Sequence, residues 1–270
     1  MLSILENDMG NLRGSIAGKS VWFFLTIAVG MFWGEAASAD VSFSDGTFNP
    51  GDWPTIVNFA GGGGTAGASH KTSGGNPGAF YQVTITANSG PSGTAAFFNN
   101  STFTYTPSSQ GAINSVTFSL DLANQGGTAG VAFANLALEQ NGHIYAGPEY
   151  DVTSATGQTV GSTSLAATDF GQVTAGANGQ FSLDLASNPN FSDAGSSILF
   201  GFTNIFNTPA TFHATADEIM GVDNYNLVLH TSAAVPEPTI TVLLLGGIGF
   251  LALGLFWQTK TSGLKIQNRS

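Results

Sequence analysis

The chain has no cysteine, so it holds neither a disulfide framework nor a cysteine zinc site. Charge is scarce as well. Only 9% of the 270 residues are charged, where soluble domains carry about 25%, and few side chains are left for acid, base or ion-pair work. Basic residues are the scarcest: Arg13, Lys19, Lys71, Lys260, Lys265 and Arg269 are all there are. Between Asp40 and Ala234 one lysine faces thirteen acids. Such a surface repels phosphate backbones and excludes nucleic-acid binding. Helix-forming composition is missing too. The 36 glycines come with Thr, Ser, Asn and Ala, which rules out a coiled coil, a helical bundle and most α/β nucleotide enzymes.

What the chain does have is apolar. Hydrophobic residues make up 42%, with 21 phenylalanines among them, enough to bury a sizeable core and to argue against disorder. The basic residues flank apolar segments, as in a membrane-directed chain. Arg13 and Lys19 precede the apolar run 21–33, and small residues follow, ending in Ala37 and Ala39. This reads as a secretory signal peptide, residues 1–39, cut before Asp40; an uncleaved signal anchor is the alternative. Glu6 and Asp8 are unusual in such a flank, and a start at Met9 would remove both.

At the far end, residues 239–257 carry no charge. At ~1.5 Å per residue they reach ~28 Å, the thickness of a hydrocarbon core. The tail 258–270 holds Lys260, Lys265 and Arg269, which orients the span with the tail inside and the preceding domain outside. Directly before it stand Val235, Pro236, Glu237 and Pro238. Two prolines fix an extended segment whose backbone is open to a membrane enzyme. Residues 235–270, together with the signal peptide, resemble the PEP-CTERM sorting signal of Gram-negative bacteria. The resemblance implies that an integral-membrane, cysteine protease-like exosortase recognises the motif and removes the tail. It also implies an inner-membrane intermediate, a final place at the cell surface or in the extracellular matrix, and a link to exopolysaccharide or biofilm. The family tail is a compact arginine cluster, whereas here the basic residues are dispersed, which bears on processing efficiency.

Residues 40–234 fit one all-β domain. Tyr81, Val83, Ile85 and Ala87 fall on one face of a strand; Val116, Phe118, Leu120 and Leu122 do so again, with Thr117, Ser119 and Asp121 opposite. Further runs begin at Val131, Phe181 (with Leu183 and Leu185), Ile198 and Val222. Strands separated by Gly, Asn, Ser and Pro clusters predict an antiparallel β-sandwich of the jelly-roll kind. Residues 214–220 are read as one helical turn at most.

The domain opens with Phe43, Ser44, Asp45, Gly46, Thr47 and Phe48, and closes with Gly221, Val222, Asp223 and Asn224. This pairing is similar to carbohydrate-binding-module jelly rolls. The resemblance implies that first and last strands are neighbours, often joined by a structural calcium. Asp45, Asp52 and Asp223 would then converge as oxygen ligands; the alternative is three separate turn aspartates bonding their own backbone.

Motifs for other chemistry are weak. Residues 62–67 match G-x-G-x-x-G without a strand–helix unit, and a flexible loop is the reading. His70, His143, His213 and His230 share no ligand spacing. Glu149 and Asp151 are the nearest approach to a glycosidase acid pair, or else a solvated acidic edge. Sugar sites stack rings on exposed aromatics, which makes Trp53, Tyr145, Tyr150 and Tyr225 the candidate glycan-binding residues, with Trp53 equally placed to be core. The reading is a non-enzymatic exported surface protein whose partner, besides the exosortase, is extracellular polysaccharide. The alternative is a lectin-like module or a glycan-active β-sandwich hydrolase.

Overall fold

The structure is a computed structural model that describes residues 38–232, except 54, 61–63, 177–178, 209–210 and 212; for 38–39 and 55–60 it describes the backbone alone. The expected signal peptide up to residue 37, the motif Val235–Pro238, the apolar span and the basic tail lie outside the described residues. Among the described residues no helix is long and apolar enough to cross a membrane.

Among the described residues, thirteen strands form two antiparallel sheets: β1 (Ser38–Asp45), β2 (Thr55–Ala60), β3 (Thr65–Gly75), β4 (Gly78–Ala87), β5 (Ser92–Tyr105), β6 (Ile113–Gly126), β7 (Ala132–Gln140), β8 (His143–Val152), β9 (Gln158–Leu165), β10 (Gly171–Ala175), β11 (Phe181–Asp184), β12 (Ile198–Thr208) and β13 (Ala216–Ser232). A four-residue helix, α1 (Pro107–Gln110), joins β5 to β6. One sheet runs β3-β4-β13-β6-β9, with β1 also paired to β13; the other runs β11-β10-β8-β7-β12-β5-β2. The first and last strands are therefore neighbours, as expected.

Alternation decides which faces meet. Val83 and Ile85 of β4, Leu120 and Leu122 of β6, and Leu227 and Leu229 of β13 are fully buried and pack against Phe98, Phe200 and Phe202 of the opposite sheet. At the centre stands Trp53, 3% exposed. Its ring lies 4.8 Å from Phe48, 5.6 Å from Tyr225, 5.7 Å from Phe202 and 5.9 Å from Phe103. A second, smaller apolar cluster covers the outer face of the second sheet, where Phe97 and Ala137 meet Val173 and Phe181 of β10 and β11.

Three expectations are corrected. Residues 216–220 are not a helical turn; they open the seventeen-residue β13, with Ala216, Glu218 and Met220 all buried and Asp217 and Ile219 less so. A buried glutamate at an inward position disguises the strand, because Glu favours helix in isolation. The glycine run at 62–67 enters β3 at Thr65, which pairs with Thr86. β11 stops at Asp184, whose carboxylate accepts from the Ala186 N–H and the Ser187 hydroxyl; Leu185 turns outward and is 66% exposed.

Candidate functional site

In β6 the polar side of the alternation ends at Asp121, and in β13 it reaches Asp223. Antiparallel pairing sets these two residues directly opposite each other. Like charges so placed repel, and both carboxylates are nearly buried, at 5% and 4% exposure. Two asparagines make the arrangement tolerable. Asn76, in the β3–β4 turn, donates its backbone N–H to Asp223 Oδ2 at 2.6 Å and its amide to Asp121 Oδ2 at 3.2 Å. Asn224 donates its backbone N–H to Asp223 Oδ1 at 2.8 Å and its amide to Asp121 Oδ2 at 2.8 Å. The Thr159 hydroxyl adds a bond to Asp121 Oδ1 at 2.5 Å. Asn224 reaches both acids because it sits in the left-handed region, φ 48°, which Asn tolerates better than most residues. Burial pushes the Asp223 carboxyl up; the N–H groups of Asn76 and Asn224 oppose this, and the charges of Asp121 and Asp45 add to it.

These acids line a groove of about 350 Å³ on the outer face of the first sheet. Glycine shapes its floor and wall. A Cβ on Gly221 would stand 3.2 Å from the Phe80 ring, and one on Gly75 would stand 2.5 Å from Asp223 Oδ2. Their absence lets the Phe80 ring lie across β13 and lets the turn close on the carboxylate. The rim adds Gln125, exposed on β6, and Thr156. Carboxylates, amides and a hydroxyl are the groups that hydrogen-bond a polyol.

The expected residues are distributed differently. Asp45 accepts from Thr47 N (2.7 Å), Thr47 Oγ1 (2.9 Å), Phe48 N (2.9 Å) and Trp53 Nε1 (2.7 Å). Burial opposes its ionisation, but the bonds from Trp53, Thr47 and Phe48 outweigh burial and hold the carboxyl below its ordinary value. Asp52 lies in the 49–53 turn, with the Asn49 amide 3.4 Å from its Oδ2. Among the described residues no three acid or histidine side chains gather as a metal-holding group. Of the four bonds to Asp45, three go to Oδ1 and one to Oδ2, and its charge is felt at Asp223.

The aromatic candidates are also redirected. Trp53 and Tyr225 are core residues, and Tyr225 donates its hydroxyl to the Gly201 carbonyl at 3.2 Å. Tyr145 is 8% exposed within the same core. Tyr150 is half-buried against Phe118 and donates to the Ser162 hydroxyl at 2.5 Å. None offers an open ring at the surface. Glu149 and Asp151 stand on one side of β8, and burial together with the Asp151 charge pushes the Glu149 carboxyl up. Of the histidines, His230 bridges Asp40 and Thr117, at 2.9 and 3.0 Å.

Sequence reasoning missed Asn76, Phe80, Gln125 and Asn224. The available signal was Asp121, the one acid on the polar side of β6, together with the Gly-Asn-Pro-Gly turn at 75–78.

No protein-family model matches the chain, and no curated protein does. Several solved structures resemble it. A family 11 carbohydrate-binding module from Clostridium thermocellum, in complex with a β-1,3-1,4-mixed-linked tetrasaccharide, is 13% identical with a TM-score of 0.38, over 73% of this chain and 99% of that one. A Shewanella oneidensis protein of unknown function is 11% identical with a TM-score of 0.38, over 78% and 95%. A xylan-binding CBM22-1 domain from Paenibacillus barcinonensis is 14% identical with a TM-score of 0.34, over 75% and 100%. At this level of similarity they assign no function to this chain.

Proposed function

We propose that the chain is a non-enzymatic exported protein, sorted by an exosortase to the cell surface or matrix, that binds extracellular polysaccharide in the groove of the first sheet. The observation that supports the binding role is the polar groove itself, lined by Asp121, Asp223, Asn76 and Gln125. Its acids favour a neutral, hydroxyl-rich ligand over an anionic one. Binding of the released protein to immobilised neutral glycans tests this. Gln125→Ala and Thr156→Ala each remove a rim group that could bond a sugar, and each is expected to weaken retention several-fold, since such a bond contributes about 0.5–1.5 kcal/mol. Unchanged retention in both variants moves the site elsewhere. Wild-type protein that is retained on no glycan removes the binding role.

A second reading, a glycan hydrolase, is favoured by the placement of Glu149 and Asp151 on one side of β8, where burial and the Asp151 charge push the Glu149 carboxyl up, because two neighbouring acids are the glycosidase arrangement. Turnover that disappears in Glu149→Gln would select it.

A further inference from the structure

Glu218 belongs to the inward-facing set of β13 and has no exposure to solvent. Lys71 is the only lysine or arginine among the described residues, and no cation pairs with Glu218 there. The glutamate instead ties the two sheets together. Its Oε1 accepts the Phe133 N–H of β7 at 2.6 Å and the Asn204 amide of β12 at 2.9 Å. Asn204 is itself fully buried, and its Nδ2 also donates to the Phe133 carbonyl at 2.8 Å. Two atoms are left over. Glu218 Oε2 and Asn204 Oδ1 are buried and have no hydrogen-bond partner among the described residues.

Both leftover atoms are acceptors if Glu218 is ionised, and two acceptors do nothing for each other. Left unpaired in a core, each costs about 1–3 kcal/mol. One proton resolves both at once. A carboxylic acid and a primary amide joined by N–H to oxygen can close a ring through a second bond, from acid O–H to amide oxygen. The first half of that ring is already present between Asn204 Nδ2 and Glu218 Oε1.

We propose that Glu218 is a buried proton-binding site, a neutral carboxylic acid whose Oε2–H donates to Asn204 Oδ1 and closes a two-bond acid–amide pair between the sheets. Burial supports this, pushing the Glu218 carboxyl up to about 7 against the bonds from Phe133 and Asn204. The one charged group felt from a packed element is Glu149 of β8, whose negative charge pushes the same way. Phe133 and Asn204, from β7 and β12, are neutral. On β13 the neighbouring Asp217 is occupied with Thr128.

The folded carboxyl binds its proton more tightly than an unfolded one, so the bound proton stabilises the fold. That stability is complete below the ordinary glutamate value of 4.5, declines as pH rises, and is gone above about 7. The sandwich is thus clamped in acid and loosened in alkali.

Thermal melting of the full chain in detergent, followed across this range by the β-sheet circular dichroism, provides the test. Glu218→Gln replaces the acid O–H with an amide N–H that makes the same bond. The variant is expected to match the wild-type midpoint in acid and exceed it in alkali, with the Glu218-dependent part of the decline abolished. A variant that melts lower by the same amount at every pH would overturn the proposal, because an ionised Glu218 satisfied through water behaves that way. Infrared spectroscopy of the wild type gives an independent reading if the variant does not fold. A protonated-carboxyl band is expected below pH 7 and is lost above it; no such band at pH 6 overturns the proposal.

Discussion

Asn207 and Phe181 exchange two hydrogen bonds: the Phe181 N–H donates to Asn207 Oδ1 at 2.9 Å, and Asn207 Nδ2 donates to the Phe181 carbonyl at 3.0 Å. A side chain of β12 thereby acts as a one-residue strand for β11. It holds Phe181 over Phe97 and Ala137 on the outer face of the second sheet. Replacing Asn207 by Leu removes both bonds and is expected to lower stability by about 1–3 kcal/mol, at about 0.5–1.5 kcal/mol each. Hydrogen exchange is the check: amides of 181–184 should exchange faster, while those of β13 keep their protection.

Asp45 gives the second prediction. Its carboxylate is the acceptor for the Trp53 indole at 2.7 Å, so Asp45→Ala strands a buried N–H and should cost about 1–3 kcal/mol. Because its folded carboxyl lies below the ordinary value, this stability is present above the ordinary carboxylate range and is lost as pH falls through the folded value. Urea titrations of both proteins should converge in acid. A constant difference at every pH would mean that the charge plays no part.

The third prediction concerns metal. The four bonds to Asp45 tie the first turn through protein donors, so a chelator is expected to leave the melting midpoint unchanged. A midpoint that drops with chelator in the wild type but not in Asp223→Ala would show calcium to be a ligand of the domain.

Sorting supplies the fourth. Changing Pro236 and Pro238 to Ala should leave an uncleaved, membrane-retained precursor. Intact-mass analysis of the released wild type should find no residue beyond about Pro238; released protein that still carries Arg269 overturns the reading.

Strands that obey a two-residue alternation were legible from the sequence: Val83 and Ile85, Leu120 and Leu122, and Phe200 and Phe202 all point where the pattern puts them. β13 was only half legible, because its first residues bury a glutamate, and what makes that position acceptable is Asn204 on another strand. The groove was less legible still. Asp121 and Asp223 are 102 positions apart, and only the register of β6 on β13 sets them face to face. The aromatic sugar candidates turn inward for a related reason. An aromatic ring carries no mark of which face it will occupy, and Trp53 and Tyr225 contribute more as core, where truncating such a ring costs about 3–5 kcal/mol.

The pairing of β1 with β13 also governs when this domain can be complete. β1 must wait for β13, so a chain that emerges N-terminus first cannot close this sheet until residue 232 has followed. Until then β1 has no partner and the aromatic centre around Trp53 lacks Tyr225. Contacts this distant along the chain form slowly. The fold therefore acts as its own timer: the first sheet stays open while the intervening strands are made and locks only when β13 arrives.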